Sequence, residues 1–123
     1  MNNIVTREHN EILIIQFQDV RLIDEITIQN IGSELVRLVT TTKLNKVLLN
    51  FENVKFMASA MLGKIALLRK KCIEKKVDLR VCCLTENIQE VFALMKLDTI
   101  LDIYPSEAEA YADFEAKKKK WYV

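Results

Sequence analysis

Lys46-Val47-Leu48-Leu49-Asn50-Phe51, continued by Glu52-Asn53-Val54-Lys55-Phe56-Met57-Ala58-Ser59-Ala60-Met61-Leu62-Gly63, is the stretch that decides the fold. Its first six residues are almost all apolar, the pattern of a strand covered on both faces. After a short polar loop, Met61, Leu62, Ile65, Leu68 and Cys72 recur at helical spacing, with Ala66 and Ile73 at the margin of the stripe. A buried strand followed by an amphipathic helix, opening near Ser59 and running to about Lys76, is one unit of an α/β sheet. Ser59 stands where loop becomes helix, a position that exposes backbone N–H groups and one hydroxyl. As an N-cap that hydroxyl would contribute about 1 kcal/mol to the helix. As an exposed group it could instead receive a phosphate, and the residues themselves leave both readings open.

The same alternation extends in both directions. Toward the C-terminus, Val77 to Leu84 reads as another buried strand. Thr85 is placed to cap a helix burying Ile88, Val91, Phe92 and Met95, and Ile100 to Tyr104 reads as a short last strand. Ser106 and Glu109 form a capping box for a final helix that runs toward the lysines at the end. Toward the N-terminus, Asn3 to His9 reads as an edge strand and Glu11 to Gln18 as a firmer one, joined by a turn at Glu8-His9-Asn10-Glu11. Asp24 is a good N-cap for a helix whose apolar face is Ile28, Ile31, Leu35 and Leu38, ended by Thr40-Thr41-Thr42. Gly32 inside that helix costs about 1 kcal/mol relative to alanine. The predicted order is β-β-α-β-α-β-α-β-α: a single α/β domain over residues 1–123, with about five strands in a mixed sheet and about four helices.

Composition narrows the function classes. The chain has 123 residues, 50% of them hydrophobic and 28% charged, which suits one globular domain with its own core. A net charge of +1 lacks the broad basic field of a nucleic-acid binder. The one dense cation run, Lys117 to Lys120 within the lysine-rich tail 117–123, reads as a solvated helix end. No apolar run approaches a membrane span, and Arg7, Glu8 and His9 stand where a signal peptide needs apolar residues. Cys72, Cys82 and Cys83 read as buried apolar residues of a reducing compartment. Successive strand residues point to opposite faces, which argues against a bond between Cys82 and Cys83. With His9 the only histidine there is no metal-ligand spacing, and no metal or cofactor is expected. Gly32 and Gly63 cannot form a phosphate-binding glycine loop, and no nucleophile elbow surrounds Ser33 or Ser59. The expectation is a cytoplasmic protein that is not an enzyme.

The segment from Val47 to Gly63 resembles the anti-sigma factor antagonist family of STAS (sulfate transporter and anti-sigma factor antagonist) domains. That family carries a hydrophobic strand ending in an acid, a short loop, then Phe-(Met/Ile)-Asp-Ser-Ser-Gly-Leu-Gly at a helix start. Leu22-Ile23-Asp24 is similar to the family's entrance to its first helix, and Glu90 to Asp98 to its later helix and turn. Ala58, Ala60, Met61 and Asn50 stand where the family has Asp, Ser, Gly and the acidic strand end. The resemblance implies the same element order. It also implies a protein whose acceptor serine, here Ser59, is phosphorylated by an anti-sigma factor with serine kinase activity. The unphosphorylated form binds that partner and frees a sigma factor, and phosphate breaks the complex. The expected partner face takes in Asp24, Ala58, Ala60, Met61, Lys64 and Leu67, although Met61, like Met57, also reads as core filler. Ala60, Lys64, Leu67 and Lys71 share the outer helix face. The alternatives are a STAS scaffold or sensor assembling with other STAS proteins without phosphorylation, or a small-molecule-binding regulator.

Overall fold

Strand β1 (Ile4–His9) folds back on β2 (Ile12–Phe17) through Asn10 and Glu11, both in the left-handed region at φ 52° and 65°. Two consecutive positive φ values are what a two-residue hairpin needs to match the strand twist, and they place His9 opposite Ile12. The architecture is that of a computed structural model and is described for residues 3–116. After a two-residue strand β3 (Arg21–Leu22), the chain alternates. It runs α1 (Glu25–Thr41), β4 (Lys46–Asn50), a second two-residue strand β5 (Phe56–Met57), α2 (Ser59–Lys75), β6 (Asp78–Cys82) and α3 (Glu86–Leu94). A 3-10 turn (Leu97–Thr99), β7 (Asp102–Tyr104) and α4 (Glu107–Ala116) complete it.

The main sheet has the order β1-β2-β4-β6-β7, parallel throughout except for the opening β1–β2 hairpin. The expected mixed five-stranded sheet with four helices is therefore present. The strands β3 and β5, which form a separate parallel pair, were not anticipated.

Period-two alternation sends each strand's side chains to two different cores. Ile15, Phe17, Val47, Leu49, Phe51, Leu79 and Val81 join the large core with residues of α1, α2 and α3. Phe17 stacks on Phe51 at 4.5 Å, and Phe51 meets Phe92 edge-on at 5.8 Å. Ile12, Ile14, Leu48 and Cys82 point the other way and pack with Ala110 and Phe114 of α4.

This second face is half polar. The Arg80 side chain is 3% exposed and pairs with Asp78 at 2.9 Å and Asp113 at 3.2 Å. Its guanidinium also lies 4.4 Å over the Phe114 ring, and Tyr104 donates to Asp113. At the other end of α4, Glu107 accepts from Arg7, Asn50 and Tyr111. Charge pairs and apolar contacts together hold α4 on the sheet.

Three expectations need correction. Met95 is 53% exposed, because α3 ends at Leu94 and the chain leaves the helical face there. Thr85 precedes α3 but makes no side-chain cap; its hydroxyl donates to the Val54 carbonyl at 3.2 Å. Cys82 and Cys83 do not diverge, since β6 stops at Cys82 and Cys83 takes φ 64°, leaving the sulfurs 3.5 Å apart. Gly32 also has a structural reason. A Cβ there would sit 2.7 Å from Cδ of Lys64, so its absence lets the lysine stem lie across α1. Among the described residues no helix is long and apolar enough to cross a membrane, and no group of three metal-ligating side chains occurs. The lysine-rich tail 117–123 lies outside the described residues.

Candidate functional site

The short β3–β5 pair sets two helix starts side by side. Arg21 pairs with Phe56 and Leu22 with Met57, Lys55 and Phe56 both donate to the Val20 carbonyl, and Ala58 donates to the Leu22 carbonyl. Two residues after β3 stands Asp24, the N-cap of α1; one residue after β5 stands Ala58, the N-cap of α2. The loop leading in is pinned from several sides. Phe51 donates to the Cys82 carbonyl, Val54 to that of Phe51, and Asn53 through Nδ2 to that of Phe17. A site built on such fixed backbone is held in one geometry before any partner arrives.

The two starts differ chemically. Asp24 Oδ2 accepts from the Thr27 N–H at 2.9 Å, and that bond holds its carboxyl below the usual range. The start of α1 is thus capped and carries a charge. Ala58 has no side chain that could cap α2. Ser59 is the first helical residue rather than the cap, which corrects the N-cap reading of its hydroxyl. The uncapped first turn leaves N–H groups and the positive end of the helix dipole beside an exposed Ser59 hydroxyl.

The other expected residues divide clearly. Ala60 is exposed, Ala58 is half-buried, and Leu67 is 45% exposed two turns along the outer face of α2. Lys64 lies partly buried against α1, where its ammonium donates to Gln29 Oε1 at 2.9 Å. Met61 is fully buried, so it belongs to the core and not to the exposed face, and Met57 is buried with it. The sequence reading did not include Val20, Ile23, Ile26 and Phe56, which are all exposed around the helix starts, Ile26 to 72%. Arg21 spreads its guanidinium over the Phe56 ring at 5.0 Å. The available signal was the alternation within two short runs, Arg21 out and Leu22 in, Phe56 out and Met57 in.

Asn50, at the position of the family's acidic strand end, is buried. Its Nδ2 donates to Glu107 Oε2 at 2.5 Å and its Oδ1 accepts from the Glu52 N–H. A carboxylate there would face that of Glu107, so the amide is the side chain this setting accommodates. Its task is to fasten α4 to the sheet.

A parallel-majority sheet with three helices on one face, one on the other and paired helix starts at a strand-to-helix junction defines a class of small α/β domain. The STAS domain family model matches residues 3–110, and the chain belongs to that family. Solved structures share the fold. A putative anti-sigma factor antagonist from Thermotoga maritima superposes with a TM-score of 0.80 at 18% identity, covering 91% of this chain and 94% of that one. An anti-sigma-factor antagonist (STAS) domain protein from Planctomyces limnophilus gives 0.79 at 20% identity, with 91% and 97% covered. The Bacillus cell fate determinant SpoIIAA in its phosphorylated form gives 0.69 at 16% identity, with 90% and 98% covered. No curated protein matches the chain significantly.

Proposed function

We propose that this chain is a non-enzymatic binding protein of the anti-sigma factor antagonist type, whose docking face is the paired helix starts and whose switch is phosphate on Ser59. The observation that carries the reading is an exposed serine at the first position of an uncapped helix, set by the β3–β5 pair beside a capped, ionised Asp24. Structural relatives described as anti-sigma factor antagonists support the role, and the Bacillus relative exists in a phosphorylated form.

The physics of the switch follows from the site. A phosphoryl group adds about −1.5 to −2 charges and three acceptor oxygens. On the free protein, the α2 dipole and the first-turn N–H groups accommodate that charge. In a docked complex the same group must shed water among apolar neighbours such as Ile23, Ile26 and Phe56. The unphosphorylated form binds and the phosphorylated form releases. The partner is an anti-sigma factor with serine kinase activity, and the exchange belongs in the bacterial cytoplasm. With Ala58 in place of an acid, such a kinase recognises Ser59 through shape and backbone, without a flanking carboxylate.

A second reading has its own support: the uncharged Ala58 and Ala60 and the exposed Ile23, Ile26 and Phe56 make a surface suited to other STAS domains, without phosphorylation. One experiment separates the two. The protein captures partners from its source lysate while its intact mass is followed with ATP present. A kinase-type partner and one added phosphate, absent in Ser59→Ala, support the switch. STAS partners with unchanged mass support assembly.

A further inference from the structure

Cys82 and Cys83 take no part in the proposed switch face, yet they form an unusual chemical group. Neighbours in a continuous strand point apart. Here β6 ends at Cys82, the left-handed backbone of Cys83 (φ 64°) swings its side chain round, and the Cys83 thiol approaches the Cys82 sulfur to 3.5 Å. Both thiols are free. Cys82 is fully buried beneath α4 with Ile12, Ile14 and Leu48. Cys83 is half-buried and lines an open cleft of about 530 Å³ with Arg7, Gln16, Asn50, Glu52 and Glu107. Arg7 is committed to Glu107 at 2.5 Å, so among the described residues the cleft has no spare cation for an anionic ligand.

The surroundings select the chemistry. Burial pushes both thiols up; at Cys83 the carboxylates of Glu52 and Glu107 add to it, partly offset by hydrogen bonds. Both sulfurs therefore stay protonated at neutral pH, unlike redox-sensing or zinc-binding cysteines, which act as thiolates. A soft centre that carries its own exchangeable hydroxyls needs no thiolate, because each leaving hydroxyl takes up the thiol proton.

We propose that Cys82 and Cys83 form a vicinal dithiol site that captures trivalent arsenic oxyacids through the cleft. The Cys83 sulfur bonds to arsenic first; one As–OH bond breaks and departs with the thiol proton as water. Cys82, 3.5 Å away, repeats the exchange as an intramolecular step and releases a second water. Arsenic stays trivalent throughout, and no oxidant or reductant enters.

The test uses the full chain and inorganic arsenite, followed by intact mass and by counting reactive thiols. The expected product carries one arsenic bridged by two sulfurs, and two of the three cysteines no longer titrate. A competing dithiol removes it and excess monothiol does not. Cys72→Ser binds as wild type. Cys83→Ser removes the entry thiol and leaves a single sulfur, so no intramolecular bridge can form and retention weakens by roughly 100-fold or more. Because a hydroxyl at the buried position 82 can unfold the chain, peptide mapping of the wild-type adduct provides the second measurement and should place arsenic on the peptide holding both cysteines. Failure to form an adduct, release by monothiol, arsenic mapped elsewhere, or unchanged retention in Cys83→Ser would each overturn the proposal.

Discussion

Replacing Gly32 by alanine probes how tightly the two helices that carry the site are fitted together. In an unconstrained helix interior, Gly→Ala stabilises by about 1 kcal/mol. Here the added Cβ would meet Cδ, Cγ and Cε of Lys64 at 2.7, 3.1 and 3.2 Å, and no backbone atom is among these nearest neighbours. The stem has to move, and the Lys64–Gln29 hydrogen bond goes with it. Losing a partly exposed bond of this kind costs about 0.5–1.5 kcal/mol. Gain and loss nearly cancel, so Gly32→Ala alone should leave the urea midpoint almost unchanged. In a Lys64→Ala background the obstruction is gone and the same substitution should stabilise by the full ~1 kcal/mol. The double-mutant cycle should thus show a coupling of about 1 kcal/mol, at constant m. An equal gain in both backgrounds would show that the Cβ fits without disturbing Lys64. A loss in both would place the obstruction in the helix backbones. Either result refutes the reasoning.

Arg80→Met removes the guanidinium that faces Asp78 and Asp113 under α4, and should cost about 3–5 kcal/mol in chemical denaturation, because the buried Asp78 and half-buried Asp113 carboxylates lose their counter-charge. Burial alone would raise the Glu107 carboxyl, but bonds from Arg7, Tyr111 and Asn50 outweigh it and hold the folded value below the usual range. A depressed folded pKa gives stability that is complete above the ordinary glutamate value of about 4.3 and is lost as pH falls through the folded one. The urea midpoints of wild type and Glu107→Gln should therefore converge on acidification, and a gap that widens toward low pH contradicts the sign. Leu67→Asp should leave stability within about 0.5 kcal/mol, since the side chain is half exposed, while weakening capture of the partner. Undiminished capture would remove Leu67 from the docking face.

The apolar run from Val47 to Phe51 and the stripe from Met61 to Cys72 made the core of the fold legible, because each is long enough for its period to show. Asp24 was legible as a cap for the same local reason: one side chain, one orphan N–H, at the start of a clear stripe. What could not be read were features two residues long. The strands β3 and β5 have no period of their own and exist because Val20 and Leu22 offer carbonyls to Lys55, Phe56 and Ala58 across the sequence. Without them the juxtaposition of Asp24 with Ser59, and the exposure of Ile23, Ile26 and Phe56, is invisible. The Ser59 hydroxyl was placed one residue too early in helix terms, since loop and first turn differ only in backbone angle. Cys83 shows the same limit: alternation separates the two sulfurs until a single positive φ brings them together. In each case a local rule was overridden by one contact or one dihedral set elsewhere in the chain.

The central claim is that charge at position 59 decides whether the paired helix starts can dock. Its most direct test is calorimetric titration of the captured anti-sigma partner with wild type, Ser59→Ala and Ser59→Glu, with unfolding curves run alongside. The account predicts that the alanine variant binds as wild type. The glutamate variant, equally stable, should bind roughly 100-fold more weakly, a difference of about 2.8 kcal/mol. Equal affinity of the glutamate and wild-type proteins, with both folded, would contradict it.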